Sequence, residues 1–325
     1  MAILRAAAAA LAWLGRQGTR AIAAVVLIGI AVPPLGAVLR PFVTPAIFAL
    51  LAIAFMRVDT AALRSYVRRP TLVLAATAWT MLAIPLLSGA ACLALRLDTR
   101  APELLLALML QALAPPMMAA PAFAALMGFD ATLVLATLVT STALTPVTAP
   151  LFAYGLIGPT LALSPTLLGL KLFAILAGSA LVAVIGRRLF GPAAIARRKH
   201  EIDGVNIVVV FVFVAAVMEH AAANFIDAPM ATIGLSALAF AVSIAVLAVT
   251  AAVFAWAGAE RAFVLGLMAS QRNMGLMLAA TGGALPDFVW LYFALCQFPI
   301  YLFPQLLKPL ARRLAGRAPV TRGTL

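Results

Sequence analysis

The chain has 325 residues, of which 65% are hydrophobic and 10% are charged, and its mean hydropathy is +1.13. Soluble domains are nearer half apolar and a quarter charged, so this composition excludes an ordinary soluble protein. Apolar stretches recur from residue 21 to residue 310. The stretches are continuous rather than alternating, which predicts an all-α polytopic membrane protein and not a β-barrel.

The net charge of +13 raises the question of a nucleic-acid partner, and the positions of the basic residues argue against one. Seventeen of the 23 Lys and Arg residues fall in four clusters, between apolar runs or in the C-terminal tail. The clusters are Arg5, Arg16 and Arg20; Arg57, Arg64, Arg68 and Arg69; Arg187, Arg188, Arg197, Arg198 and Lys199; and Lys308, Arg312, Arg313, Arg317 and Arg322. This is the positive-inside pattern, which sets orientation in the membrane.

We predict ten membrane spans joined by short loops. Their approximate bounds are 21–39, 41–56, 70–95, 102–127, 130–157, 165–189, 204–225, 229–257, 260–283 and 287–309. With ten spans all four basic clusters lie on one side, which predicts a multi-pass protein of the cytoplasmic (inner) membrane with both termini in the cytoplasm. Merging the short second span into the first would put two clusters opposite the N-terminus. Residues 1–20 are interpreted as a cytoplasmic or interfacial lead-in, and residues 310–325 as a basic tail of one membrane domain, 1–325.

Two spans carry an interruption at their centre. Span four, "ELLLALMLQALAPPMMAAPAFAALMGFD", contains Pro115-Pro116, and a double proline in mid-span should break the helix because it removes two donors and clashes with the preceding turn. Span nine, "ERAFVLGLMASQRNMGLMLAATGGALPD", contains the polar run 270–273, including Arg272. A guanidinium near the bilayer centre costs roughly 2.5–3.5 kcal/mol on the mildest insertion scale, so its presence suggests a function.

The two interrupted spans match each other at an offset of 157 residues. The matched pairs are Glu103 with Glu260, Asp130 with Asp287, and Pro115-Pro116 with Arg272-Asn273. Five spans in each half would make the second half, 165–309, inverted relative to the first, 21–157. Inverted repeats with a discontinuous helix at corresponding places indicate the binding site of a secondary transporter. Unwound backbone is tolerated at membrane depth where it is buried or lines a cavity.

Two stretches of the chain resemble the bile acid:sodium symporter family. The run "APPMMAAPAFAALMGFDATLVLATLVTSTALTPVTAP", residues 114–150, is similar to that family's fourth and fifth helices, and "QRNMGLMLAA", residues 271–280, to the Asn-x-Gly-Leu segment of its broken ninth helix. The resemblance implies a core domain with two crossed, broken helices and a panel domain of spans one, two, six and seven. It also implies transport of organic anions by movement of one domain against the other.

The residues depart from the family pattern where sodium would bind. The family's Ser-Asn pair after the fourth-helix break is replaced by Ala120 and Pro121, and its Glu and Gln before Asn-x-Gly-Leu by Met268 and Arg272. Thr142 matches a family sodium-site hydroxyl and is a weak remnant of such a site. Methionine cannot supply a hard oxygen and arginine repels a cation. We therefore expect no metal site and no sodium coupling through these positions.

Arg272 has two interpretations that can coexist. Its guanidinium is a fork matched to carboxylate, sulfonate or phosphate, and it could pair with an anionic substrate in place of sodium. Alternatively, it is an internal counter-charge that ties the crossing helices together by donating to unwound carbonyls around Ala114–Met117. The candidate substrate-binding residues are Arg272, Asn273, Gln271, Ser270, Gln111, Pro115, Pro116 and Thr142.

These residues favour a secondary transporter of a small organic anion that works by alternating access in the lipid bilayer without a cofactor. Proton coupling stays open, since Glu219 and His220 late in span seven could titrate or could form an interfacial pair. The alternatives are a sodium-coupled bile-acid-type symporter and a non-transporting membrane binder or sensor. An enzyme is not expected, because the sequence lacks H-E-x-x-H and G-x-S-x-G motifs and has two histidines. A cation/proton antiporter would need carboxylates at the breaks.

Overall fold

The computed structural model describes residues 2–17, 33–58, 70–158, 161, 163–282 and 285–315, together with Ala21, Ala24 and Ile28. Within these residues nearly every segment is helical, and the β-structure is an isolated antiparallel bridge between Pro116 and Arg272. The predicted all-α membrane architecture is confirmed. Nine of the 19 residues of the first predicted span, the basic residues Arg20, Arg64, Arg68 and Arg69, and the tail from residue 316 fall outside the described residues.

The described helices follow the apolar runs closely. In chain order they are α1 (Ala2–Gln17), α2 (Pro33–Leu39), α3 (Val43–Met56), α4 (Pro70–Ala78), α5 (Ile84–Ala94), α6 (Leu97–Arg100), α7 (Pro102–Leu113), α8 (Ala120–Leu126), α9 (Ala131–Phe152), α10 (Pro165–Phe190), α11 (Pro192–Arg197), α12 (Lys199–Asp227), α13 (Pro229–Val253), α14 (Ala259–Ser270), α15 (Met274–Thr281), α16 (Asp287–Leu306) and α17 (Lys308–Ala315).

In the described part of the chain, seven helical segments are long and apolar enough to cross a bilayer. They are Pro34–Met56, Pro70–Ala94, Ala131–Ile157, Pro165–Phe190, Lys199–Asp227, Pro229–Val253 and Asp287–Leu306. The first of these combines α2 and α3, which a 3₁₀ turn at Arg40–Phe42 connects. The third ends in a π-helical turn, Ala153–Ile157.

Both predicted interruptions are present. Helix α7 ends at Leu113, directly before Ala114 and the double proline, and α8 begins at Ala120. Helix α14 ends at Ser270, and α15 begins at Met274. The helices before the two breaks, α7 and α14, each have 12 residues. Their second residues, Glu103 and Glu260, are the acidic residues that the 157-residue offset aligned.

The N-terminal helices α1, α2 and α3 pack along the long helix α12. Gly15 lies beside the beginning of α12, Gly36 lies near its other end, and Arg57 lies beside the beginning again. The contacting pairs are Gly15 with Gly204, Gly36 with Glu219, and Arg57 with Asp203, whose side chains form an ion pair of 2.8 Å. Helix α3 therefore runs back along α12 towards its first turns.

The helix that leads into the second break is held against α13 by a close backbone approach. A Cβ added at Gly266 of α14 would lie 2.6 Å from the carbonyl oxygen of Leu247 in α13, a distance that real Cβ atoms do not tolerate. Glycine therefore lets the two backbones approach, as small residues do at helix interfaces in membranes.

We predict that Gly266→Ala lowers the stability of the purified protein by about 1–3 kcal/mol, because the new methyl group forces α13 and α14 apart. Gly234→Ala in α13 is the matched control, since a Cβ there meets nothing within 4 Å. That substitution should be neutral or stabilising, because Gly in a helix interior costs roughly 0.5–1 kcal/mol relative to Ala. Apparent melting temperatures in detergent measure both, and an equal effect of the two substitutions would contradict the assigned packing.

Candidate functional site

The two broken helices meet at their breaks. The backbone N–H of Met117 donates to the carbonyl of Gln271 at 2.8 Å, and that of Asn273 donates to the carbonyl of Pro115 at 2.8 Å. The two bonds flank the bridge between Pro116 and Arg272. Met117 and Asn273, the two donors, are 156 positions apart, and so are Pro115 and Gln271, the two acceptors. The two bonds are therefore equivalent, and the bridge has a local two-fold symmetry.

This pairing differs by one residue from the sequence alignment. The alignment puts Pro115-Pro116 on Arg272-Asn273, whereas the bridge matches Pro116 with Arg272. The reason is the unequal length of the breaks, since six residues separate α7 from α8 and three separate α14 from α15. A single offset derived from the helix starts cannot hold through breaks of different length.

The prolines explain why the first break uses the second for its hydrogen bonds. Pro115 and Pro116 have no N–H, and the residue before them, Ala114, is extended with φ −63° and ψ 142°. The next backbone donor is therefore Met117, and it donates to Gln271 in the other broken helix. Each break supplies the partner that the other lacks, as buried backbone groups in a membrane require.

Arg272 lies at the centre of this crossing and is 3% exposed. Its Nη1 donates to the carbonyl oxygen of Ala114 at 2.9 Å and to that of Thr80 at 3.3 Å, and its Nη2 also donates to the Thr80 carbonyl at 3.3 Å. Among the described residues it forms no ion pair. The contact with Ala114 is the one expected of an internal counter-charge that ties the two breaks together.

The carbonyl of Thr80 is available because of a local defect in its own helix. Between α4 and α5 the chain forms a π-helical turn, Trp79–Ala83, in which the N–H of Ile84 donates to Trp79. In this pattern the carbonyl of Thr80 would accept from residue 85, but residue 85 is a proline and has no N–H. Arg272 supplies the missing donors, so three separate helical segments meet at one guanidinium.

Gln271 is the second notable group at the crossing. It is 1% exposed, and neither its Oε1 nor its Nε2 has a hydrogen-bond partner in the described part of the chain. A buried amide without partners costs about 1–3 kcal/mol for each unsatisfied group, so native proteins keep such groups rarely.

The remaining candidates near the breaks already make bonds within the protein. The side-chain oxygen of Asn273 accepts from the N–H of Leu276 and caps α15, although Asn273 itself is only half-buried. Ser270 donates its hydroxyl proton to Leu267 one turn earlier. The amide oxygen of Gln111 accepts from the hydroxyl of Tyr292 at 2.6 Å. Ser270 and Gln111 therefore have less capacity to orient a ligand than the sequence suggested.

The hydroxyls of span five divide into two groups. Those of Thr137, Thr140 and Thr145 bond back to the preceding turn of α9. The hydroxyls of Ser141 and Thr142 are buried without a partner in the described residues. A third such hydroxyl belongs to Thr77 in α4, one turn before Met81. Ser141 and Thr142 lie within one turn before Thr145 in α9. The hydroxyl of Thr145 contacts the sulfur of Met81 at 3.9 Å, so the three unpartnered hydroxyls each lie about one turn from a residue of this contact.

Sequence reasoning missed Thr80, Pro85 and Tyr292. The motif "WTMLAIP" contains a proline in the middle of a span, and this proline is a signal that a carbonyl one turn earlier lacks a donor. Nothing in the sequence indicates that the donor comes from residue 272, since the contact joins residues 192 positions apart. Tyr292 has the same character, because its bond to Gln111 joins residues 181 positions apart.

Neither a known protein family nor a curated protein matches this chain in sequence comparisons.

We predict that Arg272→Met costs less stability when Pro85 is replaced by Ala. In the Pro85→Ala background residue 85 gains an N–H that can donate to Thr80, so removal of Arg272 leaves one carbonyl unsatisfied rather than two. The coupling free energy of this double-mutant cycle should be about 0.5–3 kcal/mol, the range for residues that share a partner. Melting temperatures of the four proteins in detergent measure it.

The control for this cycle is Pro299→Ala, another proline inside a helix, in α16. In that background the cost of Arg272→Met should equal its cost in the wild type. Equal costs in the Pro85→Ala and wild-type backgrounds would show that the Thr80 carbonyl does not depend on Arg272.

Proposed function

We propose that this chain is a secondary transporter of a small organic anion, with the anion bound at the crossing of the two broken helices. The observation that carries the proposal is the buried Arg272, which forms no ion pair among the described residues. An uncompensated charge in the membrane interior is expensive, and functional sites are where proteins keep one. A ligand carboxylate, sulfonate or phosphate would compensate it.

Arg272 has the capacity to bind an anion while it holds the crossing together. A guanidinium has five N–H donors, and three hydrogen bonds to Thr80 and Ala114 account for three of them. The remaining two suit a bidentate contact with a carboxylate or phosphate. The N-terminus of α15 begins two residues later, and its partial positive charge adds to the attraction. The internal counter-charge and the substrate contact are therefore compatible roles.

The neighbouring polar groups support a ligand with hydrogen-bonding atoms. Gln271 has a donor and an acceptor that are buried without partners, and a ligand would satisfy both. Asn273 and residues 117–119 are half-buried, so the crossing is accessible on this side. The side-chain nitrogen of Asn273 is a further candidate to orient the ligand.

The proposed architecture has ten spans in two inverted five-span repeats, as in the bile acid:sodium symporter family that the sequence resembles. Equal 12-residue helices before each break and the local two-fold symmetry of the bridge support the repeats. Gly15, Gly36 and Arg57 lie in turn at the beginning of α12, near its other end and at its beginning again, and this order supports separate first and second spans. In this topology both termini lie in the cytoplasm, and transport proceeds by movement of the panel spans against the core.

The alternative is a sodium-coupled symporter on the same fold. The buried, unpartnered hydroxyls of Ser141, Thr142 and Thr77 favour it, because hydroxyl oxygens can bind a cation. Against it, Met268 and Arg272 occupy the positions where the family has a carboxylate and an amide. We give precedence to the charge of Arg272, which already supplies what sodium would contribute.

The test of the proposed function is a thermal-shift screen of the purified protein with bile salts, small carboxylates, sulfonates and phosphates, each in sodium and in choline buffer. A ligand that binds the folded state raises the melting temperature by mass action. We expect one of these anion classes to raise it equally in both buffers. A shift that requires sodium would support the sodium-coupled alternative, and the absence of a shift with all four classes would contradict anion binding.

We further predict that Gln271→Leu weakens binding of that anion at least about tenfold, equivalent to about 1.4 kcal/mol, without loss of stability. The stability should be equal or higher, because the substitution removes a buried amide that has no partner. Gln305→Leu on the exposed face of α16 is the matched control and should change neither property. Titrations followed by thermal shift measure both. Unchanged affinity in the Gln271 variant would exclude its amide from the site.

A further inference from the structure

An apolar groove lies between α3 and α10. Both helices belong to segments long enough to cross the bilayer, and only 28% of the apolar window of each segment is buried within the protein. The groove has a volume of about 350 Å³, within the range of roughly 300–1,000 Å³ that small-molecule sites occupy. All nine residues that line it are apolar, five of them in α3 and four in α10. Its walls therefore suit a hydrocarbon chain.

The groove exists because the two helices touch at two places and carry small residues between them. A Cβ added at Gly178 of α10 would lie 3.0 Å from the ring of Phe48 in α3. One added at Gly186 would lie 3.2 Å from the sulfur of Met56. The contacts are eight residues apart on each helix, about 12 Å along its axis. The small side chains that leave space between them are Ala49, Ala52 and Ala183.

Both walls of the groove end on the same side of the membrane, where an arginine joins them. Residue numbers rise from the first contact to the second on both helices, so α3 and α10 are parallel. Their apolar segments end at Met56 and Phe190. Nη1 of Arg187 donates to the carbonyl of Val58 at 2.6 Å, across the two helix ends. Arg187 lies one turn beyond Ala183, on the face of α10 that lines the groove.

The positive charge at this end exceeds what the carboxylates nearby neutralise. Asp203 pairs with Arg57 at 2.8 Å. Glu201 contacts Arg198 at 3.8 Å. In the part of the chain that the structure describes, the basic residues of this region that pair with no carboxylate are Arg187, Arg188, Arg197 and Lys199. An anion from outside the chain would balance this charge.

Arg187 keeps donors for such an anion. A guanidinium has five N–H donors, and the bond to Val58 uses one of them. Arg188 follows directly and is exposed. Guanidinium groups bind phosphate through short, charge-assisted hydrogen bonds. The groove therefore combines apolar walls within the membrane with a phosphate-binding group at the membrane boundary.

We propose that this groove binds one anionic phospholipid, with an acyl chain between α3 and α10 and its phosphate against Arg187. A phospholipid matches the groove in position as well as chemistry, because its charge lies at the membrane boundary and its chains lie in the apolar layer. Basic pockets between membrane helices bind lipid headgroups in this way. A soluble phosphate lacks the chain, and a zwitterionic lipid lacks the net negative charge. Arg188 is the second cation for the headgroup.

Lipid binding at this groove does not depend on the proposed transport function. The groove residues lie on α3 and α10, whereas the crossing is formed by the two broken helices and Thr80. A bound lipid would hold the ends of α3 and α10 together alongside the hydrogen bond from Arg187 to Val58. It would do so whether or not an anion binds at Arg272.

The experiment is native mass spectrometry of the delipidated full-length protein with equal concentrations of dioleoyl phosphatidylglycerol and dioleoyl phosphatidylcholine, which share their chains and differ in net charge. We expect the wild type to bind phosphatidylglycerol preferentially as its first lipid. Arg187→Gln should lower this preference about fivefold, the contribution of one basic residue at a membrane surface. Arg312→Gln, at an exposed arginine of another basic cluster, is the matched control and should leave it unchanged. Equal binding of both lipids by the wild type, or an equal loss in the two variants, would overturn the proposal.

A second variant tests the apolar walls and keeps the test decisive if Arg187→Gln does not fold. Ala49→Phe puts a ring into the groove from a half-buried position, so it should abolish the preference for phosphatidylglycerol. Ala174→Phe on the exposed face of α10 is the matched control and should retain it. Glycerol 3-phosphate, which has no acyl chains, should not displace the bound lipid. A preference retained in Ala49→Phe, or displacement by glycerol 3-phosphate, would show that the groove does not hold the chain and would refute the proposal.

Discussion

The arrangement around the crossing depends on the contact of one guanidinium with two backbone carbonyls. Helices that break inside a membrane leave carbonyls without donors, and each such group costs about 1–3 kcal/mol. A buried cation without acceptors is more expensive still. In this protein the two costs offset each other, since Arg272 donates to Ala114 at one break and to Thr80 at a π-helical turn. The same contact joins the helical segment Pro70–Ala94 to the two broken helices.

The crossing is nearly symmetric in its backbone but asymmetric in its side chains. The bridge between the breaks has a local two-fold axis that matches Pro116 with Arg272. The second break therefore has a cation where the first break has a rigid, apolar proline. Pro116 has no N–H, whereas the guanidinium of Arg272 has donors and no acceptor, so the two breaks are complementary rather than alike.

Several features were predictable from the sequence for local physical reasons. The double proline predicted where span four breaks, because the loss of two N–H groups acts within one turn. The polar run at 270–273 predicted the second break, and the contact of Arg272 with Ala114 was among its two expected roles. The alignment at 157 residues was wrong by one at the bridge, because the breaks differ in length. Ser270 and Gln111 appeared available in sequence, but their hydrogen bonds go to Leu267 and Tyr292.

The sequence by itself determined that this is a helical membrane protein, where its helices break, and that a single cation lies at one break, since hydropathy and proline chemistry act over a few residues. The tertiary structure decided which groups that cation satisfies, which polar side chains remain unpartnered, and that Glu219 lies against Gly36. Those contacts join residues 150 or more positions apart, and no local pattern encodes them. They arise from the packing of spans that bury each other's unsatisfied groups.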